Sequence, residues 1–175
     1  MSAHTHQNPT LQITLHDLHK QQGKEDSIFL LDGGTGEELF RRGVPDDRKI
    51  WSATAVVRSQ YHSILKQVHM SYILAGSNAI TTNTFGIVPG VGFEEEDIVT
   101  HVSIAARIAS ESCTFNEEKK SKSRAPFIFG SLGPLVESYR PDLILHHEKG
   151  VKIYTKIMNS MHPYIHLFVL KDNRL

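Results

Sequence analysis

Four short strand-forming runs alternate with three amphipathic stretches along this chain, and that alternation limits its possible folds more than any other feature. The runs are "IFLL" at 28–31, "NAITTNTF" at 78–85, "PFIFGSLGP" at 126–134 and "YIHLFVL" at 164–170. Strands that alternate with helices build a parallel sheet with the helices packed outside it. Right-handed crossovers either close such a sheet into a barrel or leave it open and doubly wound. Four strands are half of an eight-stranded β/α barrel, which takes about 250 residues, whereas this chain has 175.

The stretches between the runs carry helical periodicity. Val57, Tyr61, Ile64, Val68 and Tyr72 recur at steps of three or four and end at Ala75-Gly76, where glycine suits a left-handed cap. Ile98, Val102, Ala105 and Ala109 share one face of the next stretch, with the acids Glu94 to Asp97 at the positive end of its dipole. Val151, Tyr154, Met158 and Met161 mark the third, a stripe that reads as core rather than as cofactor contacts. "NEEKKSKSR" (116–124) is a charged, solvated connector. Residues 1–26 are polar and rich in His and Gln. They are expected to be a partly ordered leader in which Leu11, Ile13, Leu15 and Leu18 cap something, with residues 27–175 forming the domain.

Charge removes several function classes. Lys plus Arg and Asp plus Glu both total 19, giving zero formal charge, so neither nucleic acid nor an anionic membrane is an expected partner. The leader has no basic segment followed by an apolar one, and no run approaches a bilayer-spanning length. One cysteine, Cys113, cannot form an internal disulfide, which fits a reducing, cytoplasmic setting.

In barrels and open sheets alike, ligands bind at the carboxyl ends of the strands. Those ends read Asp32-Gly33-Gly34, Thr82-Asn83-Thr84, Gly130-Ser131 and Lys171-Asp172. Small residues and short polar groups let backbone amides and one carboxylate approach a small zwitterion: Asp32 suits an ammonium group, and exposed N–H groups suit a carboxylate. Any one cluster reads better as a tight turn, but three at equivalent positions shift the balance toward a site. "DGGTGEE" (32–38) matches no phosphate-loop pattern, and Glu37 and Glu38 would repel an anion, so they are expected to begin a solvated helical turn. His4/His6 and His146/His147 lack the partners of a zinc pattern, and Cys113 falls near a helix end away from the strand ends.

"LLDGGTGEELFRRG", "IWSATAVV", "VHMSYILAGSNAITTNTF", "GSLGP" and "HPYIHLF" resemble the homocysteine S-methyltransferase family, in order and at suitable spacings, from about Ile28 to Phe168. The resemblance implies an α/β fold of the β/α (TIM) barrel type, truncated here to about the first four β/α units. It implies that homocysteine and a methyl donor are the partners, and that the homocysteine thiol takes a methyl group to give methionine. Asp32, Gly33, Thr82, Asn83, Thr84, Gly130 and Ser131 are the expected substrate-binding residues, with no catalytic residue and no metal ligand assigned in this chain.

The family's zinc, which favours the thiolate, is held by three cysteines from the later half of the barrel. Nothing here matches them, so none is expected to be held by this chain. Lys171 stands where the family has a glutamate, and His166 where an aspartate is usual. That loss of pattern reads as a frameshift, a retained intron or a misassigned exon boundary. The alternative function is a non-catalytic half-barrel that binds a partner or a small amino acid, with self-association through open sheet edges.

Overall fold

A computed structural model describes residues 17, 18, 20, 28–118, 125–136 and 146–170. Its helices are α1 (Thr35–Arg41), α2 (Thr54–Val57), α3 (His62–Leu74), α4 (Glu95–Glu118) and α5 (His147–Met161). Its strands are β1 (Ala79–Thr81), β2 (Phe127–Leu132) and β3 (Leu167–Leu170), with single 3-10 turns at Trp51–Ala53, Ser59–Tyr61 and Pro89–Val91. The strands form one parallel sheet in the order β1-β2-β3, with Ala79 opposite Phe127, and with Phe129 opposite both Thr81 and Leu167. The expected alternation is thus present, and the sheet is open among the described residues.

Residues 28–31, expected as the first strand, run beside β1 without a regular ladder. Asn78 donates its backbone N–H to the Leu30 carbonyl (2.7 Å), and side chains add further links. The Asn78 Oδ1 accepts from the Leu30 N–H (2.8 Å), and the Asp32 carboxylate takes the Thr81 N–H (2.7 Å). Side-chain oxygens therefore stand where a neighbouring strand's carbonyls would. Ile28, Leu30 and Leu31 remain exposed at this edge, as does Leu74 at the end of α3.

Successive strand side chains alternate between faces. Ile80 and Ile128 point to the helices, where they meet Ile73, Ala109 and Cys113. Phe127 and Phe129 point the other way with Ala79, against Phe29, Leu167 and Val169, and the Phe29 and Phe129 rings stack at 6.1 Å. Leu18 is buried in this second cluster, which ties part of the expected leader to the sheet; Leu11, Ile13 and Leu15 lie outside the described residues.

The expected stripe on α4 is present, with Ile98, Val102, Ala105 and Ala109 all buried. The helix expected from the Val57–Tyr72 stripe is broken at Arg58, whose ψ of 106° is extended, and it resumes at His62. Gly76 adopts the left-handed conformation expected of a cap (φ 99°). On α5 the phase differs from expectation. Ile153, Ile157 and Met161 are buried while Val151 and Met158 are exposed, because two apolar stripes share this helix and only one faces the sheet.

Candidate functional site

The carboxyl ends of the strands bring most of the expected site residues together, through bonds that lace one strand to the next. Asp32 grips the end of β1: besides the Thr81 N–H, its carboxylate accepts the Thr81 hydroxyl at 2.9 Å. β1 then stops, because the Thr84 N–H turns back to the Thr82 carbonyl (2.9 Å) in a three-residue turn. The same two threonines reach across to β2. The Thr82 hydroxyl accepts the Ser131 N–H at 3.0 Å, the Thr84 hydroxyl donates to the Ser131 carbonyl at 2.6 Å, and the two hydroxyls lie 2.9 Å apart. All three residues are buried.

Asn83 faces away from this lacing and holds a loop. Its amide donates to the Ser52 carbonyl, and its Oδ1 accepts the Ser52 hydroxyl, both at 2.7 Å. The loop is strained where it is held. Trp51 has φ of 48°, a conformation uncommon for a large side chain, and its ring lies 6.3 Å from that of Phe85. Beside it a cavity of about 250 Å³ opens, lined by Gly36, Glu37, Phe40, Asp46, Trp51 and Ser52 among others.

The glycines at these ends are required by close approach. A Cβ on Gly33 would lie 2.8 Å from the Tyr72 ring, and one on Gly133 would lie 2.2 Å from the Phe85 carbonyl oxygen. Gly130 differs from the other expected site residues: its Cβ direction meets the Phe168 ring at 2.6 Å, on the helix-packed face of the sheet. Its small size is used for packing there. Partial burial, then the Glu38 and Asp32 carboxylates, hold the Tyr72 hydroxyl above the ordinary phenol range.

Glu37 and Glu38 lie in the first turn of α1, as expected. Glu37 pairs with Arg41 in solvent, and Glu38 pairs with Arg42 at 2.7 Å. Ser52, Trp51 and Tyr72 are the neighbours that sequence reasoning missed. For Tyr72 the signal was present in its helical stripe. For Trp51 and Ser52 the signal was the "IWSATAVV" segment of the resemblance, which gave them no role because their roles depend on the fold of a loop.

Residues 171–172, the fourth strand end, lie outside the described residues, as do His4 and His6. His166 accepts the Ile128 N–H on its Nδ1 (3.0 Å) while its own N–H reaches the Ile128 carbonyl (2.9 Å), so it anchors the approach to β3. Cys113 is buried with Ile73, Ile80, Ala109 and Ile128 on the helix side of the sheet, away from the strand ends. Among the described residues no three His, Cys, Asp or Glu side chains converge to hold a metal ion. A zinc–thiolate site of the kind the resemblance implies does not fit the donor set of the described residues.

A family model for homocysteine S-methyltransferase matches residues 29–170. The homocysteine S-methyltransferase YbgG of Bacillus subtilis is 30% identical over 115 residues, covering 61% of this chain and 36% of that protein. Homocysteine S-methyltransferase 1 of Saccharomyces cerevisiae is 25% identical over 114 residues, covering 61% and 34%. The crystal structure of the Escherichia coli homocysteine methyltransferase MmuM, in its metallated form, superposes with a TM-score of 0.75 at 20% identity, covering 88% of this chain and 57% of that one. The matched region is thus about a third of the length of these curated relatives. A family match over residues 29–170, most of the length, places this chain in the homocysteine S-methyltransferase family.

Proposed function

We propose that this chain binds the amino-acid portion of homocysteine at the mouth formed by Asp32, Gly33, Thr82, Asn83, Thr84 and Ser131, with Gly130 packing behind it. In this reading it supplies about the first four β/α units of a TIM-type barrel, and the bound thiol is the methyl acceptor that yields methionine. The observation that carries the reading is the lacing of the 28–32 segment and the ends of β1 and β2 by short polar side chains, with one carboxylate at their edge. An ammonium group suits the Asp32 carboxylate, and a hydroxyl left without a partner, that of Ser131, suits a carboxylate.

Thiol activation is assigned to none of the described residues, among which no three His, Cys, Asp or Glu side chains converge. Substrate binding is therefore the step proposed for the described residues, and methyl transfer rests on the family reading. A cytosolic setting belongs to the same reading, supported by a single buried cysteine; no helix among the described residues is long and apolar enough to cross a membrane. The test is calorimetric titration with L-homocysteine, combined with metal analysis and a methylation assay using S-methylmethionine or betaine. Saturable binding of homocysteine is the expected result, with methionine formation and zinc content showing whether this chain completes the transfer by itself. No binding would overturn the reading.

A second reading, a half-barrel that self-associates, is favoured by one observation. Exposed apolar side chains gather at the 28–31 edge (Ile28 87%, Leu30 47%, Leu31 50%) and at Leu74 (71%). Apolar strand edges of this kind invite pairing with another chain. Size-exclusion chromatography with light scattering separates a dimer, of twice 19.7 kDa, from a monomer that would refute it. Leu30→Asp should convert the first into the second.

A further inference from the structure

The polar groups at the strand ends differ in how fully their bonding is used, and that difference singles out one atom. The Thr82 and Thr84 hydroxyls are spent on Ser131's backbone and on each other. The Asn83 amide is spent on Ser52 in both directions. The Asp32 carboxylate already holds the Thr81 N–H and hydroxyl. The Ser131 hydroxyl alone among these is buried with no hydrogen-bond partner, on a residue 2% exposed.

A buried hydroxyl left unpaired costs stability that alanine would not. Nothing in the sheet requires the hydroxyl, because both main-chain groups of Ser131 are held by its threonine neighbours. Its strand phase matches Phe127 and Phe129, so it lies on the face opposite the helices, at the mouth end of that face. The other side chains without a partner are elsewhere: Thr54 is in α2, His69 in α3 and His101 in α4.

Resting on the homocysteine-binding reading above, we propose that the Ser131 hydroxyl is a substrate contact, donating a hydrogen bond to the carboxylate of the bound amino acid. Charge sets the direction. Asp32 ends the chain segment on the far side of β1 from β2; it attracts the ammonium group and repels the carboxylate, which places the carboxylate toward β2. A hydroxyl is the neutral donor that serves there. The lacing threonines shape the mouth, and Ser131 reads the ligand.

The test is titration of the full chain with L-homocysteine and with 3-aminopropane-1-thiol, which lacks only the carboxylate. A hydrogen bond to a charged group corresponds to roughly a 10- to 100-fold change in Kd. Ser131→Ala should weaken homocysteine binding by that factor, leave the aminothiol's affinity unchanged, and leave the urea midpoint of the unliganded chain equal or higher. Ser131→Cys, nearly isosteric and a weak donor, should fall between, and it keeps the test open if the alanine variant folds poorly. Homocysteine affinity within twofold of wild type in both variants overturns the assignment of Ser131 while leaving the binding reading intact. A wild-type chain that binds no homocysteine overturns both.

Discussion

Replacing His69 by leucine should change how stability depends on pH, by an amount the structure allows to be worked out. His69 lies in α3 with 0% exposure, and neither ring nitrogen has a hydrogen-bond partner. Burial lowers its pKa from 6.5 to about 4. Above pH 6.5 the imidazole is neutral in both the folded and the unfolded chain and contributes no pH dependence. Below 6.5 the unfolded chain takes up a proton that the folded chain refuses until about pH 4. Folding is therefore weakened as pH falls through that window, by about 1.4 kcal/mol per pH unit.

The loss is about 2 kcal/mol at pH 5 and about 3 kcal/mol by pH 4. His69→Leu removes this slope. At pH 7 it also removes two orphaned polar atoms, worth about 1–3 kcal/mol, against a packing mismatch of up to about 1.5 kcal/mol. Urea unfolding followed by far-UV circular dichroism, at pH 7 and pH 5, measures both effects. The advantage of the variant over wild type should grow by about 2 kcal/mol between the two, since the other ionisable groups cancel in the difference. An advantage that stays constant across that range would refute the claim that His69 is held neutral by burial.

Gly133→Ala should cost about 3 kcal/mol or more, because its Cβ would lie 2.2 Å from a backbone oxygen that cannot rotate away; a urea midpoint unchanged from wild type would contradict the close approach. Thr84→Val removes the 2.6 Å bond to the Ser131 carbonyl and should cost about 1–3 kcal/mol. It should also speed amide exchange at Ser131, where Asn83→Ala should not. Arg42→Met breaks a part-exposed pair with Glu38 and a 3.1 Å bond to Ser71, and should cost no more than about 1 kcal/mol. A larger loss would mean that the α1–α3 contact carries more than this pair.

Sequence periodicity located elements well where one apolar stripe competed with nothing else. The α4 stripe is of this kind, with Ile98, Val102, Ala105 and Ala109 all buried. It failed in phase on α5, where Ile153 and Ile157 form one stripe and Val151 and Met158 another. Nothing within "GVKIYTKIM" says which stripe meets the sheet; that depends on where β2 and β3 lie. The segment expected as the first strand, 28–31, lies beside β1 but forms no regular strand, because Asn78 and Asp32 bond its flank through side chains. The site was legible in a limited sense. Small polar residues at strand ends marked the mouth, but which hydroxyls face inward to the sheet and which are left over depends on contacts some 47–49 residues apart.

The threonine lacing that shapes the mouth is also what terminates β1 and pins it to β2. Architecture and recognition therefore share the same atoms. A chain released from any demand for turnover would still be obliged to keep Thr82 and Thr84, because losing them would loosen the sheet. Persistence of that pair records the needs of folding and is silent about catalysis. Ser131 carries no such obligation, so it is the position at which a lineage that had stopped binding substrate would drift first.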